Sequence, residues 1–236
     1  MQIFISIMII LVLSTSAIAN PLNKGVSLTP SQQTLLVAMT VMDYADTRVA
    51  NINGMYLPVM NVSGRYYFAI QQNGSIHLER TTIVGNYSIR EYALMVIKNP
   101  NLSSRIRNTS AKMRFEGNVK CRHEAFIAAI AAAPYGITKI ERGKLRIRRE
   151  NHAEAIISTK VGTQYLSYKD GKVYVGKKDV LGGRAYKASE KQTPIEYIDH
   201  VIESAQYVLS LGGRGANEKV IRLANGELEF IRNIGG

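Results

Sequence analysis

Four segments of the chain place apolar residues at the three- and four-residue spacing of an amphipathic helix. Thr29-Pro30 and Thr193-Pro194 each put a capping residue before a proline, an arrangement typical of a helix start. A third segment stops before Asn99-Pro100, and the fourth, which is rich in alanine, follows Cys121. The pattern therefore predicts helices over residues 29–49, 88–97, 121–133 and 193–211.

Elsewhere apolar and polar residues alternate, which predicts β-strands. Arg65–Ile70 and Ser75–Arg80 flank Asn73-Gly74, a dipeptide that favours the tight turn of a β-hairpin. Further strands are predicted over residues 137–140, 144–148, 152–159, 164–168, 172–175, 220–223 and 228–231, and the last two close the chain as a hairpin. Because helices and strands are grouped along the chain, the predicted fold class is α+β, an antiparallel sheet packed with helices.

The first nineteen residues carry no charge and have the pattern of a secretory signal. An apolar run from Ile3 to Leu13 is followed by small residues, with Ala17 and Ala19 placed for cleavage before Asn20. The run is short for a bilayer span, and no later segment approaches spanning length. We therefore predict a signal peptide over residues 1–19 and, once it is removed, a secreted or periplasmic protein without an integral membrane span. The alternative is an uncleaved anchor, because no Lys or Arg precedes the apolar run.

The formal net charge is +12 at pH 7, and all of it lies after residue 19. Such a charge favours anionic partners, an anionic polymer of the cell envelope among them. The chain has a single cysteine, Cys121, and therefore forms no internal disulfide. A secreted protein that keeps one unpaired thiol either buries it as a small apolar group or uses it in chemistry.

The surroundings of Cys121 favour a nucleophile. The thiol lies where a helix is predicted to begin, and there the positive end of the helix dipole and unpaired N–H groups would stabilise a thiolate. Positive charge from Lys120, Arg122 and His123 would add to this effect. His152, at the start of a predicted strand, is the candidate base that holds the thiolate and later protonates the leaving group.

The same residues resemble the transglutaminase-like cysteine hydrolase superfamily, which includes the bacterial transglutaminase-like cysteine proteinases. The matching segments are Cys121–Phe126, Tyr135-Gly136-Ile137 and His152-Ala153, within residues 116 to 171. The resemblance implies a papain/transglutaminase-like core, with Cys121 as nucleophile and His152 as base. It also implies an aspartate on the following strand that orients the histidine, and this aspartate maps to Asp170.

Two carboxylates compete for this orienting position. Asp170 is followed by Gly171, and Asp-Gly is also the ordinary sequence of a hairpin turn. Glu154 lies two residues after His152 and would share its face of the strand. The residues alone leave both open.

The polar stretch from Asn101 to Lys112 is the best candidate for a boundary between regions. We therefore divide the chain after the signal into an N-terminal helical and hairpin region, residues 20–115, and a transglutaminase-like catalytic core with a C-terminal helix and hairpin, residues 116–236. The predicted function is hydrolysis of amide bonds in a protein or peptide through a Cys121–His152–Asp170 triad and a thioester intermediate.

The prediction implies no cofactor, and two alternatives stand beside it. A non-enzymatic envelope factor would bind an anionic partner through basic strands such as Lys144–Arg149. Glu227-Leu228-Glu229 has the spacing of the glutamate pair of ADP-ribosyltransferases, although an alternating edge strand explains it better. The four histidines lack the spacing of metal ligands, so no metal site is predicted.

Overall fold

A computed structural model describes residues 20–102, 109–145, 151–176, 186–210, 219–222 and 228–231. Within these ranges the protein has four α-helices and two antiparallel sheets, which confirms the α+β class. The predicted signal peptide and residues 146–148 of a predicted strand lie outside the described residues. None of the helices in the described ranges has the length and apolar character needed to cross a membrane.

Two of the helices begin directly after the predicted capping residues Thr29 and Thr193. Thr29 and Ser88 each accept a hydrogen bond from a backbone N–H of the first turn, and the third residue of that turn bonds back to the cap. The four helices are α1 (Pro30–Val41), α2 (Ile89–Lys98), α3 (Cys121–Ala132) and α4 (Pro194–Ser210), with short 3₁₀ turns at Pro21–Asn23 and Ala133–Tyr135.

The prediction that the first helix extends to Val49 is wrong. The helix ends at Val41, and Asp46–Ile52 forms a strand whose first residues are alternately exposed and buried. This strand pairs along its whole length with Met55–Val62, a strand that the sequence pattern did not predict. Pairing within the sheet therefore outweighs the helical spacing of apolar residues in this segment.

The strands form two sheets. In chain order they are β1 (Val26–Ser27), β2 (Asp46–Ile52), β3 (Met55–Val62), β4 (Arg65–Gln72), β5 (Ser75–Thr81), β6 (Met113–Phe115), β7 (Ile137–Leu145), β8 (Asn151–Thr159), β9 (Gly162–Lys169), β10 (Lys172–Gly176), β11 (Tyr186–Gln192), β12 (Lys219–Arg222) and β13 (Leu228–Ile231). Sheet I has the order β1-β10-β9-β8-β7-β11, and sheet II has the order β13-β12-β6-β5-β4-β3-β2.

Both predicted hairpins form. Asn73 and Gly74 join β4 to β5 with φ angles of 51° and 75°, the left-handed values that the predicted tight turn needs. At the end of the chain β12 pairs with β13, from Lys219 opposite Ile231 to Arg222 opposite Leu228. Residue 229 therefore lies in a paired strand, while residue 227 lies outside the described residues.

The main apolar core lies between the four helices and sheet I, with α3 at its centre. Every side chain of α3 from Ala125 to Ala132 is buried. Leu22 and Leu35 belong to the same cluster as Phe126, although they precede the boundary predicted at residue 115. In addition, β1 joins sheet I, whereas β12 and β13 extend sheet II. The two predicted regions therefore share a core and exchange strands.

Candidate active site

Cys121 is the first residue of α3. The preceding residue, Lys120, has extended backbone angles, and its side chain accepts no hydrogen bond from the first N–H groups of α3. His123 partly replaces the cap, because its Nδ1 lies 3.4 Å from the N–H of Lys120. Since α3 is buried from Ala125 to Ala132, packing fixes the helix that carries the sulfur.

The structure brings Cys121 and His152 together. His152 is the second residue of β8, and its side chain forms a hydrogen bond with the sulfur. The backbone N–H groups of Ala153 and Arg122 also donate to the sulfur. Cys121 is only partly buried, so a reactant can reach it. A thiol in a purely apolar shell, which was the alternative for this cysteine, would have none of these polar contacts.

The two groups shift each other's pKa in opposite directions. Burial raises the pKa of the Cys121 thiol, but the hydrogen bonds from His152 and Ala153 and the charge of His152 outweigh it, so that the pKa falls below its ordinary value. The hydrogen bond with Cys121, followed by that with Glu154, raises the pKa of His152 to about 10. The pair therefore favours a thiolate and an imidazolium over a neutral thiol and imidazole.

The carboxylate in contact with His152 is Glu154. Its Oε1 lies 3.2 Å from the Nε2 atom of the imidazole, and the two side chains are 11% and 19% exposed. Because the residues are two apart on β8, their side chains leave the same face of the strand. Glu154, the alternative that the sequence left open, is therefore the carboxylate that contacts the candidate base.

Asp170 lies elsewhere. It occupies the turn between β9 and β10, with a φ angle of 50°, and Gly171 follows with 76°. Together with Tyr168 and Asn118 it lines a groove of about 750 Å³ to which neither Cys121 nor His152 contributes. The turn that an Asp-Gly sequence favours is therefore the role that the structure gives to Asp170.

The basic side chains next to Cys121 in the chain contact a buried acid, Asp43, which was not predicted from the sequence. Asp43, just beyond α1, is fully buried, with Lys120 Nζ 3.0 Å and His123 Nε2 3.6 Å from its Oδ2. The guanidinium of Arg122 pairs with its Oδ1. Burial, assisted by Arg122 and Lys120, holds the pKa of His123 well below its ordinary value, so this imidazole is neutral.

This cluster corrects the expected source of thiolate stabilisation. The charges of Lys120 and Arg122, which were predicted to stabilise the thiolate, are instead paired with the carboxylate of Asp43. The groups that lower the pKa of Cys121 are the imidazole of His152 and backbone N–H groups. The available signal was an aspartate inside an apolar stretch, between Met42 and Tyr44. Such a residue is rarely buried without a charged partner.

Cys121 and His152 open into a cleft of about 460 Å³, called the Cys121 cleft below. Helix α4 forms one wall, and residues of β7, β8 and β11 form another. The side chains that line it include Arg142, Lys144, Tyr197, His200, Ser204 and Tyr207. Arg142 is paired with Glu190 at 3.1 Å. The cleft therefore joins the thiol to a mixed polar and aromatic surface, and its volume is in the range of ligand-binding pockets.

No protein-family model, no curated protein and no solved structure matches this chain. Among the described residues there is also no group of three His, Cys, Asp or Glu side chains placed to hold a metal ion. What the site can do therefore follows from its own geometry and charges.

Proposed function

We propose that this protein is a cysteine hydrolase that cleaves amide bonds of a protein or peptide through a thioester on Cys121. The observation that carries the proposal is the hydrogen-bonded series Cys121–His152–Glu154 at the mouth of an open cleft. The three side chains supply a nucleophile, its base and a group that orients the base.

The reaction would proceed in two steps. The Cys121 thiolate attacks the carbonyl carbon, forms the S–C bond and pushes the carbonyl electrons onto oxygen, where N–H groups at the start of α3 stabilise the charge. When the tetrahedral intermediate collapses, the C–N bond breaks and His152 gives its proton to the leaving amine. A water molecule, deprotonated by His152, then attacks the thioester and releases the acid and the free thiol.

The arrangement also supports a papain/transglutaminase-like core. A central helix carries the cysteine at its first residue and packs on an antiparallel sheet, and the histidine lies on a strand of that sheet later in the chain. This is the order on which the resemblance to transglutaminase-like hydrolases rests. The secreted or periplasmic location remains part of the proposal and rests on the signal pattern of residues 1–19.

A thiol probe tests the proposal directly, because Cys121 is the only cysteine of the chain. Iodoacetamide should label the wild-type protein, and hydrolysis of a mixed peptide library should stop once the label is attached. Cys121→Ala should neither take up the label nor hydrolyse the peptides. Cys121→Ser, the matched polar variant, should retain less than about a thousandth of the hydrolysis. Hydrolysis that survives in Cys121→Ala would show that the reaction does not use this thiol.

One observation favours the second candidate, an envelope factor that binds an anionic polymer. Sheet I carries exposed lysines without an ion pair among the described residues: Lys139, Lys144, Lys160, Lys169 and Lys172. Retention on an anionic polymer that weakens steeply with salt, together with a thiol that iodoacetamide does not reach, would favour this function over hydrolysis.

A further inference from the structure

The Cys121 cleft is lined by basic side chains, and no Asp or Glu belongs to the described residues that line it. The basic residues are Arg122, Arg142 and Lys144, together with the imidazoles of His152 and His200. A cleft lined by one sign of charge attracts ligands of the opposite sign. The charge of a substrate is therefore a property on which this cleft can discriminate.

Sheet I directs two of these cations to the side on which the thiol lies. Arg142 is opposite Ala153 in the register of β7 and β8, and the N–H of Ala153 donates to the sulfur. Opposed residues of an antiparallel pair have Cα atoms about 4.5–5.5 Å apart and side chains on the same face. Ala153 is buried in the core that contains α3. Arg142 and Lys144, two residues apart on β7, therefore both leave the sheet on the side covered by α3 and α4.

Lys144 is the cation of the cleft whose charge is not compensated within the described residues. Arg122 pairs with Asp43, and Arg142 pairs with Glu190 at 3.1 Å. The side chain of Lys144 is exposed and has no carboxylate partner in the part of the chain that the structure describes. Its ammonium group can therefore bind an anion without first giving up an ion pair of that part of the chain.

The positive potential reaches the opposite wall of the cleft, on α4. Burial lowers the pKa of His200, and the charge of Arg142 lowers it further, although Glu203 acts in the opposite direction. His200 is therefore neutral at pH 7 and adds no charge of its own. An anion bound in the cleft would meet positive charge from β7 and a neutral imidazole from α4.

We propose that the Cys121 cleft takes acidic peptides and that Lys144 binds the carboxylate of a glutamate or aspartate side chain close to the scissile bond. The position of Lys144 supports this role: it follows Gly143, which is opposite His152 in the register of β7 and β8. A residue next to the one that reacts with the thiol would thus pass beside Lys144. The inference rests on the proposed function, because it names the substrate class of the same reaction.

The test compares matched peptides that differ by one charge. Mass spectrometry of a mixed peptide library, digested by the wild-type protein, identifies the bonds that are cut. One cleaved sequence is then made with Glu and with Gln at the favoured acidic position. We expect kcat/KM to be about tenfold higher for the Glu peptide, as for one hydrogen bond to a charged group. Lys144→Gln should remove this difference by slowing the Glu peptide alone, and Lys144→Arg should keep it.

Lys139→Gln is the matched control. Lys139 is an exposed lysine of the same strand that does not line the cleft, so its replacement removes the same charge from the protein without touching the proposed contact. The preference for the Glu peptide should persist in this variant. The thermal midpoints of both Gln variants should equal that of the wild type, because both lysines are exposed.

The other outcomes overturn the inference in distinguishable ways. If the library is cut without a preference for acidic residues, or if Lys144→Gln keeps the preference, Lys144 does not bind a substrate carboxylate and the proposed hydrolase still stands. If Lys144→Gln and Lys139→Gln reduce the preference equally, the net charge of +12 attracts acidic peptides and no specific contact does. If no peptide of the library is cut, the proposed function fails and the inference fails with it.

Discussion

The carboxylate of Glu154 lies 3.2 Å from the imidazole of His152, and a single residue separates the two in the chain. The pleat of β8 alone therefore sets the distance and the angle between them. The contact does not depend on a neighbouring strand, a loop or a turn, and its side chains are nearly buried. It is a rigid support for the group that pairs with the Cys121 thiolate.

Replacing Glu154 by Gln should weaken catalysis through His152. The hydrogen bond with Glu154 is the second contribution to the raised pKa of His152, so its loss should bring that pKa down from about 10 toward the ordinary 6.5. We expect kcat/KM to fall by about ten- to a hundredfold, part of the roughly 10²- to 10⁴-fold that general acid–base catalysis supplies. Titration of His152 by NMR and steady-state kinetics measure both effects.

Asp170→Asn is the control for this experiment, because it changes the residue that the sequence placed in the triad. Since Asp170 occupies a turn and lines another groove, the variant should keep the wild-type pKa of His152 and the wild-type rate. The reverse result, a slow Asp170→Asn beside an unaffected Glu154→Gln, would assign the orienting role to Asp170.

The reactivity of Cys121 should depend on pH in a way that a free thiol does not. The lowered pKa of Cys121 means that the alkylation rate rises with pH and levels off below the pH at which an ordinary thiol ionises. Amide hydrolysis also needs the imidazolium as proton donor, so it should decline again as pH rises through about 10. The two apparent pKa values belong to the pair rather than to either residue.

His152→Ala provides the comparison for the pH profile. Without the imidazolium the thiol loses its charged partner while the effect of burial remains, so its pKa should rise. The rate of alkylation by iodoacetamide, measured between pH 5 and 10, should then increase only at the alkaline end. A profile identical to that of the wild type would mean that His152 does not hold the thiolate.

Asp43→Asn should destabilise the protein strongly. The substitution keeps the size of the side chain but leaves Lys120 and Arg122 without the buried charge that they surround. Removing one partner of a buried ion pair costs about 3–5 kcal/mol, which urea unfolding measures as a lower midpoint. Asp199→Asn removes the partner of Arg90 in a pair whose side chains are about half exposed, and it should leave the midpoint nearly unchanged.

A chain cut at the boundary predicted at residue 115 should not yield a folded C-terminal piece. Residues 116–236 would lack α1 and β1, which cover α3 and the edge of sheet I, and they would also lack Asp43. We expect circular dichroism of this fragment to show no cooperative thermal transition. A cooperative transition close to that of the whole protein would contradict the shared core.

Local patterns predicted most of the elements that form the site. The capped helices, the alanine-rich α3 and the alternating strand that begins near His152 were all predictable, because each depends on nearby residues. The helical assignment of β2 failed, because a neighbouring strand decides its conformation. The strands β1 and β6 were missed because they span two and three residues, too few to show a period.

The chemistry was harder to predict than the fold. The helix start and the strand start suggested that Cys121 and His152 meet, but the choice between Glu154 and Asp170 depends on which carboxylate reaches the ring. The partner of Lys120 and Arg122 lies at the end of another helix, and no periodicity links Asp43 to them.

Because His152 and Glu154 lie on one strand, insertions elsewhere in the chain do not change the distance between them. A triad whose acid stands on a separate strand is disrupted by any insertion that moves the two strands apart. Here the hairpin beyond β8 can lengthen, shorten or acquire new residues without separating acid from base. In the proposed enzyme, acid and base would therefore stay in contact even where the loops around β8 change in length.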